Sequence, residues 1–227
     1  MKALYVIPAR GGSKGIPYKN IKPLDGKPLI CYSIDVARAL ASDDDICIST
    51  DDGKIIEVVE KYGIKVPFIR PDYLAADDST TNDVLLHAIQ FYEQKGIHYD
   101  TIVLLQPTSP LRTKEQVSGA LSAYDDSLDM IVSVKQSHAV SVLCQENSEG
   151  YVELYFNKDL KRRQDSAHFY EYNGAIYVIN VQQLKLHSLS GLNKIRKYVM
   201  DEISSVDIDT ELDFRIADLY LKSKNSF

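Results

Sequence analysis

The chain has 227 residues, 44% hydrophobic and 26% charged, with 11 glycines and 8 prolines, which fits a folded domain with its own core and excludes disordered or collagen-like chains. No apolar run approaches the roughly 18 residues that a membrane-spanning helix needs. The net charge of −6 argues against a general nucleic-acid binder, yet Lys2, Arg10, Lys14, Lys19 and Lys22 fall within the first 24 residues without one acid. Such a concentration suits a small anionic ligand such as a phosphate chain, or else a solvated basic face.

In chain order, Ala3–Pro8 reads as a buried strand; the apolar run 3–9 meets Arg10 at once and is too short for the core of a leader. A Gly/Lys-rich loop follows to about Leu24. Leu29, Ile30, Ile34, Ala37 and Ala41 then carry helical spacing. A short strand is expected over 46–49, a helix over 54–62 stopped by Gly63, and a strand-like piece over 66–69. An amphipathic helix is expected over 82–95 with Thr81 as its N-cap, and another buried strand over 101–105. Thr113 and Gln116 have capping-box spacing for a helix reaching Tyr124. Strands follow at 130–134 and 175–179, and Thr210 opens the last helix. Apolar strands alternating with helices predict an α/β fold, Rossmann-like, with a mainly parallel central sheet covered on both faces in a single domain, 1–227.

Residues 135–172 break this rhythm. They are polar and aromatic, with Tyr151, Tyr155, Phe156, Phe169, Tyr170 and Tyr172, and show no βα period. The segment is expected to be a small insert with strands of its own, serving partner contact or capping a site. Cys31, Cys47 and Cys144 are widely spaced in apolar patterns, which predicts reduced, buried thiols and a cytoplasmic location.

Three segments could carry chemistry. The first is the loop after the opening strand, Pro8-Ala-Arg-Gly-Gly-Ser-Lys-Gly15 with Lys19-Asn20. Open α/β sheets bind ligands at the carboxyl ends of their strands. There, glycines let backbone N–H groups approach phosphate oxygens, and Ser13, Arg10, Lys14 and Lys19 can surround them. The loop matches neither the Walker A pattern nor GxGxxG. The second is Gln106-Pro-Thr-Ser-Pro-Leu-Arg112, a stiff polar loop after another strand, readable also as a turn into the capped helix. The third is Ser205-Val-Asp-Ile-Asp-Thr-Glu-Leu-Asp213. If this piece is extended, Asp207 and Asp209 point to one side and suit Mg²⁺, a cation usually held by one or two carboxylates plus substrate phosphates. Helix capping accounts for Thr210, Glu211 and Asp213 but not for the two preceding aspartates. The five histidines show no metal-ligand spacing, and no residue stands out as a covalent nucleophile.

In combination, order and spacing, IPARGGSKGIPYKN at 7–20, STD at 49–51, RP with LAAD at 70–77, LLQPTSPLR at 104–112, RRQ at 162–164, NGAIYV at 173–178 and SVDIDTELD at 205–213 closely resemble the bacterial acylneuraminate cytidylyltransferases over essentially the whole chain. The resemblance implies a nucleotidyltransferase fold and an enzyme that joins CTP to a nine-carbon 2-keto acid, releasing pyrophosphate and a CMP-sugar, with Mg²⁺ required. It implies nucleotide contacts from Arg10, Gly12, Ser13, Lys14, Lys19, Asn20, Arg70 and Thr81, with Arg10, Lys19 and Asp209 at the chemistry. It also implies metal binding by Asp207 and Asp209, and sugar contacts from Gln106, Arg163 and Tyr177. It further implies a homodimer whose insert, 135–172, exchanges with the partner subunit; the net acidity and the lack of a long apolar run lead us to expect neither a nucleic-acid nor a membrane partner.

Departures from that family fall in the sugar region. Family members carry a lysine near Ser141, a Phe pair near Ser190-Gly191, and in several cases an arginine where Glu171 stands. These changes leave the acid open among sialic acid, legionaminic acid and other nonulosonates. A CMP-Kdo-type or other sugar nucleotidyltransferase is the alternative reading, and a regulatory module that binds CTP without turnover is the rival from a different class.

Overall fold

The computed structural model describes residues 1–227 apart from 13–14, 77, 138, 140–141, 156–168 and 226–227, and apart from the side chain of residue 225. The elements run β1 Ala3–Pro8, β2 Pro23–Leu24, β3 Lys27–Pro28, α1 Leu29–Arg38, β4 Ile46–Ser49, α2 Gly53–Lys61, α3 Thr81–Gln94, β5 Thr101–Leu104, α4 Lys114–Ser122, β6 Met130–Ser137, β7 Cys144–Glu146, β8 Val152–Leu154, β9 Phe169–Asn180, α5 Val181–His187, β10 Ile195–Val199 and α6 Glu211–Asn225. Six strands form one sheet in the order β10-β6-β9-β5-β1-β4. Only β9 runs antiparallel to its neighbours, β5 and β6; the remaining pairings are parallel.

Successive residues of β1 face opposite sides of this sheet, and both sides are covered, which is why the strands read as unbroken apolar runs. Leu4 and Val6 join Cys47, Ile102 and Leu104 under Leu85 and Ala88 of α3 and Leu184 of α5. Tyr5 and Ile7 join Ile46, Ile48 and Val103 under Ile30 and Ile34 of α1, Val59 of α2 and Val117 of α4. A smaller cluster of Ile16, Leu24, Leu29, Leu111, Ile208 and Phe214 lies outside the sheet. It packs the Gly/Lys-rich loop against residues near the start of α6.

Several expectations are corrected. Residues 66–69 make only a single bridge, Thr50 to Ile69, rather than a strand, because Pro67 has no N–H for a ladder. The N-cap of α3 is Thr80, not Thr81. The Thr80 hydroxyl accepts from the Asp83 N–H while the Asp83 carboxylate accepts from the Thr80 N–H. β10 carries exposed Arg196, Lys197 and Val199 at the sheet edge, so it lacks the apolar run by which buried strands are recognised. The capping box of Thr113 and Gln116 is present as expected.

The segment 135–172 holds a hairpin of its own, β7 on β8, but its ends continue the main sheet. Ser137 pairs with Phe169, so the part that leaves the sheet is shorter than the sequence rhythm suggests. Cys31 and Cys47 are buried, and burial pushes their thiols up to about 11 and about 12. Cys144 is exposed on β7, contrary to the expectation of a buried thiol, because this two-stranded sheet lies outside the core.

Candidate active site

β1 ends at Pro8, and Ala9 N–H still donates to the Ser49 carbonyl at 2.9 Å, carrying the β1–β4 ladder one residue into the loop. Beyond it the chain must pass close to two other segments. A Cβ on Gly11 would lie 2.5 Å from the Asp52 carboxylate, and one on Gly15 2.5 Å from the Asp209 carbonyl oxygen. Gly11 N–H donates to Asp51 Oδ1 at 3.3 Å. Gly12 is exposed and unpacked, and Ser13 and Lys14 lie outside the described residues. The loop returns at Asn20, whose buried amide donates to the Arg10 carbonyl at 3.1 Å.

Lys19 opens a short 3-10 turn, Lys19–Ile21. Its ammonium donates to the Ile208 carbonyl at 2.5 Å and to Asp209 Oδ1 at 3.2 Å. This contact joins the cationic loop to the acidic segment almost two hundred residues later. The acidic segment is in turn tied to the loop after β5, since Ile208 N–H donates to the Thr108 carbonyl at 2.8 Å.

The loop after β5 is held from behind by Arg112, a buried arginine. It donates to the carbonyls of Gln106 at 3.1 Å and Ala175 at 2.6 Å, and to the Ser33 hydroxyl. Burial pulls its guanidinium down to about 9, so it is still charged at neutral pH. A second support lies behind Asp207. Ser133 donates to the Asn173 side-chain carbonyl at 2.5 Å, and the Asn173 amide donates to Ser205 at 2.8 Å, linking β6, β9 and the acidic segment. Gly174, at φ +72, adopts a conformation that disfavours a side chain, and a Cβ there would lie 3.4 Å from Asp207 Oδ2.

These supports enclose a cleft of about 430 Å³ lined by Arg10, Lys19, Asn20, Gln106, Asp207 and Asp209, with Pro8, Gly15, Pro107 and Thr108 between them. The first six are residues singled out in the sequence, and the structure brings them together. Pro107, Thr108 and the supporting Arg112 lie within the second motif but were not assigned roles. Burial holds the Asp207 carboxyl above its usual range; Asp209 and Asp213 push in the same direction, and Thr108 and Lys19 oppose them. Asp207 Oδ1 is buried with no hydrogen-bond partner among the described residues, whereas the Asp209 side chain is 75% exposed. One orphaned carboxylate oxygen beside a second, accessible carboxylate is a donor set that fits Mg²⁺ completed by phosphate oxygens. No group of three or more His, Cys, Asp or Glu residues capable of holding a metal occurs among the described residues.

The other sequence-predicted residues are placed differently. Arg70 does not line this cleft. It is buried and donates to the carbonyls of Leu74 and Ser49; burial lowers its pKa first, Asp51 opposes that, and the nearby charge of Arg10 adds to it. Thr81 is exposed on the first turn of α3. Tyr177 sits half-buried on β9 between Leu104 and Val132, its phenol raised by burial and then by the charge of Asp207. Arg163 lies outside the described residues. A neighbouring cleft of about 380 Å³ shares Asp207 with the first and carries Lys135, Glu171, Tyr172 and Asn173.

Cations on a loop at the carboxyl end of β1 meet two carboxylates in a cleft beside a mainly parallel sheet, the place where open α/β sheets bind ligands. The chain belongs to the cytidylyltransferase family, whose sequence model matches residues 4–222, and it is an enzyme of that family. It is 32% identical over 223 residues to the CMP-N,N'-diacetyllegionaminic acid synthase of Legionella pneumophila, covering 96% of this chain and 95% of that one. It is 36% identical over 180 residues to the pseudaminic acid cytidylyltransferase of Campylobacter jejuni, covering 78% of each. Against the N-acylneuraminate cytidylyltransferase of Escherichia coli it is 32% identical over 228 residues, spanning 99% of this chain but 53% of that protein. The fold is shared with a CMP:2-keto-3-deoxy-manno-octonic acid synthetase solved in complex with CTP, at a TM-score of 0.72 and 19% identity, over 99% of this chain and 100% of the other.

Proposed function

We propose that this protein transfers the cytidylyl group of CTP to a nine-carbon 2-keto acid sugar of the nonulosonic class, with Mg²⁺ as its metal. The observation that carries the reading is the cleft in which Lys19 meets Asp209 and the Ile208 carbonyl. The sugar's anomeric hydroxyl oxygen bonds to the α-phosphorus, the bond from that phosphorus to the bridging oxygen of pyrophosphate breaks, and the hydroxyl proton is lost to a base. No covalent enzyme intermediate is needed, so the protein's work is positioning and charge neutralisation. Arg10 and Lys19 face the phosphates, and the Asn20 amide holds the Arg10 backbone in place. Asp207 and Asp209 would hold Mg²⁺, which neutralises charge on the phosphates. Gln106, which lines the cleft with Asp207, and Tyr177, whose phenol feels the charge of Asp207, are assigned to the acceptor.

The test is a panel of purified nonulosonic acids with CTP and Mg²⁺, reading CMP-sugar and pyrophosphate; binding of CTP without turnover on every acid would overturn the reading. In the same assay Lys19→Ala should lose turnover while its circular dichroism and melting temperature stay close to wild type. Lys19→Arg should not restore it fully, because a planar fork cannot replace a compact ammonium.

The working form we propose is a cytoplasmic homodimer. The two buried, unpaired thiols support a reducing compartment. The region around β7 and β8 exposes Val142, Leu143, Tyr151, Val152 and Tyr155, apolar surface that suits a second copy of the chain. Arg163, by resemblance, would act in the partner's site. If Arg163→Ala and Asp209→Ala chains, each inactive alone, are co-refolded in equal amounts, random pairing should return roughly a quarter of wild-type activity. A mixture that stays inactive would place Arg163 in its own chain's site.

A further inference from the structure

Lys19 pairs with one oxygen of Asp209, a carboxylate that a metal would have to share with it. The Lys19 side chain is only 13% exposed and is anchored by the 2.5 Å bond to the Ile208 carbonyl, whereas Asp209 is 75% exposed and held only at 3.2 Å. The Asp209 side chain is therefore the mobile partner. A divalent cation arriving alone must share that carboxylate with an ammonium and sit beside it, both charges being positive. A triphosphate changes this balance, because it offers Lys19 oxygens that neutralise it and leave Asp209 to the metal. An ammonium has three donors, so Lys19 can keep Ile208 while it moves from the carboxylate to a phosphate.

We infer that Lys19, by pairing with Asp209 where a metal would bind, disfavours free divalent metal and couples metal entry to arrival of the nucleotide. This rests on the nucleotide and metal reading above and adds to it an order of events. By linkage, the coupling is reciprocal for the two ligands.

The experiment is Mn²⁺ binding to the nucleotide-free enzyme, with free Mn²⁺ followed by electron paramagnetic resonance. Lys19→Met should bind Mn²⁺ roughly thirtyfold more tightly than wild type, the size expected for a divalent cation and one unit charge about 4 Å apart in water. Lys22→Met is the control for net charge. Lys22 lies three residues on and pairs instead with Glu211 at 2.5 Å, so its removal should change Mn²⁺ affinity far less. In an Asp209→Asn background the gain from Lys19→Met should shrink, because the part due to pairing with that carboxylate is gone. Unchanged affinity in Lys19→Met, an equal gain in Lys22→Met, or an undiminished gain in the Asp209→Asn background would each overturn the inference. Wild-type turnover of CTP alongside any of these results would leave the proposed reaction standing. Absence of turnover with every acid would instead remove that reaction.

Discussion

Asp209→Ala should lower turnover at least about 100-fold, because metal stabilisation of charge at the transferring phosphate is worth several kcal/mol. The fold should be unaffected. Asp209 is an exposed side chain whose ion pair with Lys19 contributes at most about 1 kcal/mol, and Lys19 retains its bond to Ile208. Asp207→Asn should be equally inactive but should melt higher than wild type at pH 7. The sign follows from the carboxyl's raised pKa: the folded protein holds the Asp207 proton more tightly than the unfolded chain does. The stability it contributes is therefore present at low pH and falls as pH rises through the raised value, and the amide removes that penalty. Steady-state assays and thermal melts at pH 5 and pH 7 check both variants. Near-normal turnover of Asp209→Ala, or a lower melting temperature for Asp207→Asn at pH 7, would contradict the assignment.

Arg112→Ala should be the most destabilising single change at the site. It strips the buried Ala175 carbonyl of its Arg112 donor, removes one of the donors to the Gln106 carbonyl, which keeps Ser33 and the Ser109 N–H, and leaves a cavity, a loss of about 3–5 kcal/mol. In a chain of this size that corresponds to a fall of about 6–20 °C in melting temperature. Arg112→Lys should recover only part of it, since one ammonium cannot reach Gln106, Ala175 and Ser33 with the geometry of a fork. A melting temperature within about 2 °C of wild type for Arg112→Ala would show that the loop does not depend on this staple.

Much of the site was legible because its parts are local. The glycines and cations of residues 10–20 are contiguous, and Asp207 and Asp209 stand at an alternating interval that needs only an extended backbone to align them. The capping box at Thr113 was equally readable, because cap and partner are three residues apart. The α3 cap was misplaced by one residue because Thr80 and Thr81 offer the same hydroxyl, and only the return bond from Asp83 distinguishes them. The antiparallel course of β9 was not legible, since the apolar run NGAIYV is the same read in either direction along a sheet. Nor was β10, whose exposed side chains remove the apolar signal.

The sequence by itself determined the alternating α/β class, the cationic loop at the end of the first strand and the pair of carboxylates, since each depends on residue type within a few positions. The tertiary structure alone decided that Lys19 meets Asp209, that Arg112 is buried behind the cleft rather than facing a ligand, and that Arg70 spends its donors on the Ser49 and Leu74 carbonyls. The physical reason is that an arginine or lysine carries the same charge wherever it stands. Whether that charge serves a ligand or the protein's own backbone depends on which carbonyls the packing leaves without a donor, and those carbonyls come from segments far apart in the chain.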